Sequence, residues 1–146
     1  MKILSVLLFL ITLSACSKPD FQDVEGNDIY LKDLNEKWLI VNYWATWCAP
    51  CRIEIPELNE LSLEQKDRVT VLGVNFDQPS MSELPQQVKS MKIEFPVLQN
   101  DPSAKLGVTL PEVLPTTYVF RPGGALLKML IGPQSKDDLV KLINES

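Results

Sequence analysis

Histidine is missing from all 146 residues, and cysteine occurs only at Cys16, Cys48 and Cys51. A structural zinc site wants four ligands, and no carboxylates are spaced to complete one. Positive charge is also short. Fourteen Lys and Arg stand against nineteen Asp and Glu, a formal charge of −5 with a pI near 4.7. That balance argues against nucleic acid as a partner. There is no repeat and no low-complexity tract. A long apolar run is missing too. Ile3–Leu13, broken only by Ser5 and Thr12, spans roughly 16 Å as a helix at ~1.5 Å per residue, about half of a ~30 Å hydrocarbon core. It is too short to cross a bilayer. With Lys2 before it, it reads as the apolar region of a signal peptide covering residues 1–15. The length that remains suits one domain with a real core.

The signal segment ends in Leu13-Ser14-Ala15-Cys16. Small residues before a cysteine resemble the lipobox of bacterial lipoproteins. The resemblance implies cleavage after Ala15 and lipidation of Cys16; the alternative is an ordinary signal peptide with a cysteine by chance. Several acyl chains anchor a protein stably where one does not. Loss of Lys2 leaves 13 basic residues against 19 acidic, a balance of −6. Ser17–Asp20 is then the whole tether. At ~3.5 Å per residue it reaches about 14 Å, so residues 16–20 hold a domain of residues 21–146 close to the membrane.

The chain is organised around Trp47-Cys48-Ala49-Pro50-Cys51. Before it, Trp38–Trp44 is rich in β-branched and aromatic residues and reads as a buried strand. After it, Arg52 to about Lys66 sets Ile53, Leu58, Leu61 and Leu63 at roughly helical spacing. The cysteines therefore sit where a strand hands over to a helix. Unpartnered amides and the helix dipole there favour an anion, and the thiolate is the reactive form of cysteine. Cys51 lies one turn after Cys48, within reach of its sulfur. A purely structural bridge over so short a loop would gain little chain entropy. Redox chemistry is the preferred reading, with an inert disulfide, half a zinc site and copper handling as alternatives.

The remaining elements follow in order. Phe21–Val24 and Ile29–Leu31, around a turn at Glu25–Asp28, read as a hairpin, and Lys32–Lys37 as a link. Pro56 falls inside the long helix and predicts a kink. Val69–Asn75 is a nearly continuous apolar run, as in a strand covered on both faces. Ser80 and Glu83 have capping-box spacing, with a helix from there toward Met91. Phe95–Leu98 reads as a short strand and Asp101–Leu106 as a short helix ended by Gly107. Pro115 opens a strongly β-forming run to Phe120. Pro122-Gly123-Gly124 turns it into a partner strand, Ala125–Ile131. A last helix opens at Ser135–Asp138, with Leu139, Leu142 and Ile143 on its apolar face. This order predicts an α/β domain: a mixed sheet with helices on both faces.

Trp44–Pro56, W-A-T-W-C-A-P-C-R-x-E-x-P, resembles the active-site segment of thioredoxin-fold proteins, in particular the membrane-tethered TlpA/ResA-like thiol-disulfide oxidoreductases. Leu114-Pro115-Thr116-Thr117 matches their second motif. Gly26–Leu31 and the Gly123-Gly124 pair also fit, so the resemblance covers Phe21 to about Asn144. It implies a thioredoxin fold with an N-terminal β-hairpin extension and an insert before the cis-proline strand. It also implies a redox disulfide between Cys48, the attacking thiol, and Cys51, the resolving thiol, with Leu114-Pro115 cis. Trp47, Pro50, Leu114 and Pro115 would support the site and touch substrate; for Trp47 the alternative is a half-exposed aromatic without a role. Asn42 stands where soluble thioredoxins have a buried aspartate. Glu54 matches an active-site glutamate that takes over its proton work. The alternative is a solvated first-turn charge.

The reading is an extracytoplasmic, lipid-anchored thiol-disulfide oxidoreductase that needs no cofactor or metal. Its partners are disulfide-containing proteins, a membrane-bound electron donor and, through Cys16, the membrane itself. Strong oxidants of the fold lie near about −120 mV and thioredoxin near about −270 mV. The oxidants commonly carry a histidine between the cysteines, whereas Ala49 and Pro50 stand here. A reductase-like potential below about −200 mV is expected on that scale. Ser17, where many inner-membrane lipoproteins have aspartate, hints at an outer membrane. Competing readings are a copper-delivery protein, although copper handlers of this fold add a histidine, and a non-catalytic interaction lipoprotein. A peroxidase fits less well, because the peroxidatic pattern does not match this cysteine placement.

Overall fold

The structure is a computed structural model that describes residues 18–146. The signal segment expected at residues 1–15 and the expected lipidation site, Cys16, lie outside the described residues. Strand β3 (Trp38–Trp44) is the organising element, buried along nearly its whole length. Its alternation divides the core. Ile40 and Trp44 point to one side of the sheet, and Leu39, Val41 and Tyr43 to the other, the period-two pattern of a strand covered twice. Parallel to it runs β4 (Val69–Asn75), and antiparallel on its other edge runs β5 (Thr116–Phe120). Strand β6 (Leu126–Ile131) pairs antiparallel with β5, giving the sheet order β4-β3-β5-β6.

One face is covered by helices α2 (Ala49–Glu64), α3 (Leu84–Met91) and α5 (Lys136–Asn144). The other carries the four-residue helices α1 (Leu31–Leu34) and α4 (Ser103–Leu106) and the small hairpin β1 (Phe21–Gln22) and β2 (Asp28–Ile29). Helix α2 is the crossover between the parallel strands, and it buries Ile55, Leu58 and Leu61 against the sheet. Each such side chain contributes about 1.5–3 kcal/mol relative to exposure.

Several sequence expectations change. The hairpin strands stop short, and Leu31 begins α1 instead of extending the second strand. Helix α2 starts at Ala49, so Pro50 falls in its first turn, where a missing N–H costs nothing. Ile53 and Leu63 point to solvent, 69% and 72% exposed. The inward face is instead set by Cys51, Glu54, Ile55, Leu58 and Leu61. Pro56 does lie inside α2 as expected, on its solvent side, where water can take up the freed carbonyl. Helix α3 begins at Leu84, with Pro85 in its first turn. The Ser80–Glu83 pair is made before it: Ser80 N–H and Oγ both donate to Glu83 Oε2. Phe95–Leu98 contributes only two isolated bridges, Val97 with Gly73 and Leu98 with Asp23. Gly107 ends α4 in the left-handed conformation, φ 69°, which suits a residue without Cβ.

Candidate active site

Cys48 and Cys51 are joined as a disulfide where β3 hands over to α2. Cys48 is the N-cap of that helix, and its sulfur accepts the Cys51 N–H at 3.2 Å. An amide that the helix itself cannot satisfy thus points at the sulfur expected to carry charge. Both cysteines are buried, Cys48 retaining 3% exposure and Cys51 none. Cys48 is therefore less open than its place at the tip of the turn suggests. Arg52 turns back to donate to the Thr46 carbonyl at 2.8 Å, closing the loop beneath the cysteines.

Trp47 is 63% exposed. Its indole Nε1 donates to Asp77 Oδ2 at 2.8 Å. Asp77 is itself fixed, its N–H donating to Asn75 Oδ1 at the end of β4. Leu114-Pro115 is a cis bond. Pro115 is buried, and its carbonyl accepts from Gly132 N–H. Leu114 packs where the two halves of the core meet.

Glu54 is 1% exposed, so it is not the solvated first-turn charge that its position alone allows. From α2 its carboxylate points to the sheet. Asn42 of β3 donates to Oε2 at 2.8 Å, Thr117 of β5 to Oε1 at 3.0 Å, and Gln134 N–H to Oε1 at 3.3 Å. Burial pushes its pKa up to about 7, and the three hydrogen bonds hold it back. A carboxyl with a pKa in that range is suited to proton exchange near neutral pH.

Sequence reasoning missed Thr117 and Gln134. Thr117 had a signal: a polar side chain in a strand otherwise built for burial needs a partner. Gln134 acts through its backbone and had none.

Comparison with known proteins places this geometry. The chain matches the AhpC/TSA family over residues 14–129. It is 33% identical over 118 residues to the thiol-disulfide oxidoreductase ResA of Bacillus cereus, an alignment covering 80% of this chain and 68% of that protein. Among solved structures, the pneumococcal exposed lipoprotein thioredoxin Etrx1 of Streptococcus pneumoniae superposes with a TM-score of 0.74 at 25% identity, covering 86% of this chain and 97% of that one. A DsbF homologue from Corynebacterium diphtheriae gives 0.73 at 28% identity, covering 86% and 82%. With a cysteine pair able to form a disulfide at the head of α2 and a thioredoxin-type sheet behind it, the chain belongs to the AhpC/TSA family and is a thioredoxin-fold thiol-disulfide oxidoreductase.

Proposed function

We propose that the protein is a lipid-anchored, extracytoplasmic reductase of protein disulfides. The observation that carries the proposal is the pairing of a helix-capping sulfur at Cys48 with a buried carboxyl, Glu54, one turn beyond Cys51. In the reduced protein the Cys48 thiolate attacks one sulfur of a partner's disulfide. A mixed disulfide forms and the partner's other sulfur leaves as a thiolate, which takes a proton. Glu54 then accepts the Cys51 proton. The Cys51 thiolate attacks Cys48, closes the Cys48–Cys51 disulfide and releases the partner's second thiolate. Two electrons pass to the partner, and a dithiol donor in the membrane restores them. Trp47, Pro50, Leu114 and Pro115 form the surface on which the substrate rests.

The anchor rests on the Leu13–Cys16 motif, with residues 1–15 removed and 16–20 as tether. The name of Etrx1, an exposed lipoprotein, supports it by similarity. Among the described residues no helix is long and apolar enough to cross a membrane. The reductase direction rests on Ala49 and Pro50 between the cysteines. Titrating the pair against dithiothreitol should give a potential below about −200 mV on the scale of its relatives, and a Cys51→Ser variant should retain partner proteins as mixed disulfides in cells. A potential near about −120 mV with a mainly oxidised pair in cells would overturn the direction. No trapped partner would overturn the exchange.

A further inference from the structure

Among the described residues no Lys or Arg pairs with the buried Glu54 carboxylate. What holds it is a closed triangle. Asn42 Nδ2 donates both to Glu54 Oε2 and, at 2.9 Å, to Thr117 Oγ1, while Thr117 Oγ1 donates to Glu54 Oε1. Asn42 and Thr117 are exposed not at all, and Glu54 only 1%. Asn42 and Thr117 face each other in the β3–β5 register, so the sheet itself sets their spacing.

We infer that Asn42 and Thr117 are positioning residues that hold the Glu54 carboxyl in place and govern its affinity for the proton it exchanges with Cys51. The inference rests on the proton role proposed above for Glu54. Burial disfavours the ionised carboxyl, and donors are what stabilise it. Both partners also have acceptor capacity. The Thr117 hydroxyl can turn to receive a proton. Asn42 Oδ1 is buried with no hydrogen-bond partner, an acceptor within the same side chain. The triangle therefore suits both protonation states, which a second carboxylate at position 42 would not.

The charged groups of the neighbouring elements make no bond to the Glu54 carboxylate. Arg52 is held by the Thr46 carbonyl, and Glu57 accepts the Lys136 N–H. Lys136 Nζ binds Glu60 and Glu64, and Asp138 binds Ser135. Lys128, Asp138 and Lys141 line a surface groove with Gln134. None of them is a partner of the Glu54 carboxylate. The thiol that stands nearest Glu54 along α2 in the reduced protein is Cys51, one turn back.

The test follows Glu54 directly by carboxyl carbon-13 NMR of the oxidised protein, beside the pH profile of insulin reduction. Thr117→Val keeps the core volume and removes one side-chain donor; Asn42→Leu removes the other side-chain donor, and the Gln134 N–H remains in both. Each should raise the Glu54 midpoint by about one pH unit, the size expected for losing a hydrogen bond to an ionised group. The inflection of the rate profile should move with it, and Thr117→Ser should restore both. Glu54→Gln should abolish the inflection. An inflection that survives Glu54→Gln would sink the proton role itself. An inflection lost in Glu54→Gln, with a midpoint unmoved in folded Thr117→Val or Asn42→Leu, would overturn the positioning role alone. The two variants are independent, so a folding failure of one leaves the other to decide.

Discussion

Trp47 Nε1 donates to Asp77 Oδ2 at 2.8 Å, and this contact ties the cysteine turn to the loop that follows β4. An indole that is 63% exposed gains no orientation from burial, so its direction depends on that bond. Asp77→Ala should release it. The indole N–H resonance should move upfield and its exchange with water should quicken. Stability should change by less than about 1 kcal/mol, as for an exposed hydrogen bond. An unmoved indole resonance would show that something else orients the ring.

Glu54 should leave a mark on stability as well as on rate. Its folded pKa, about 7, lies above the ordinary 4.5. Between those values the folded state binds the proton that the unfolded state has released. The stabilising contribution is therefore full below about pH 4.5 and is lost as pH rises through about 7. The loss amounts to a few kcal/mol. Urea unfolding of the oxidised protein at pH 5 and pH 8 should show this fall, and Glu54→Gln should flatten it. Parallel pH dependence in the two proteins would contradict the burial argument.

Gly73 sits in β4 where its neighbours leave no space for a side chain. A Cβ there would lie 2.9 Å from Phe95 Cε2, 3.0 Å from Val97 Cγ2 and 3.1 Å from Trp44 Nε1. Gly73→Ala should destabilise by about 1–3 kcal/mol through overpacking. Chemical denaturation measures it. A loss below about 0.5 kcal/mol, within the range of ordinary surface substitutions, would mean that the aromatic wall gives way easily.

Reduced protein alkylated near neutral pH should be modified first at Cys48. Its sulfur accepts the Cys51 N–H and it keeps 3% exposure, against none for Cys51. Peptide mapping after brief treatment with iodoacetamide reads the order. Faster labelling of Cys51 would exchange the two roles.

Cys16 makes its own test. A Cys16→Ala protein should fail to incorporate radioactive palmitate and should stay unprocessed. Unchanged labelling would dispose of the lipid anchor.

Much of the central fold was legible because burial on both faces leaves a clear mark. Trp38–Trp44 and Val69–Asn75 have almost no polar residue, and both are strands with the ends read from the chain. The cysteine turn was legible for a different reason, the strand-to-helix boundary around it. The inward face of α2 was harder. Ile53 and Leu63 look like core by type, and the tertiary arrangement turns them outward; Glu54, for which residue type alone allows a solvated charge, is buried instead. Among the groups that hold Glu54 is Thr117, 63 residues further along, and no local pattern announces a partner so distant. Phe95–Leu98 failed as a strand because only isolated bridges tie it to its neighbours, which side-chain type does not foretell.

The antiparallel pairing of β3 with β5 joins residues that are synthesised far apart in time. Cys48, Cys51 and Glu54 lie in the first half of the chain, while Thr117 comes 63 residues after Glu54. At a synthesis rate of about 5–20 residues per second, roughly 3 to 13 s separate the carboxyl from the hydroxyl that holds it. During that interval the cysteines are already present, but the strand that completes their surroundings is not. A nascent chain therefore has thiols before it has the means to govern them. Only with β5 in place does Glu54 gain the Thr117 hydroxyl.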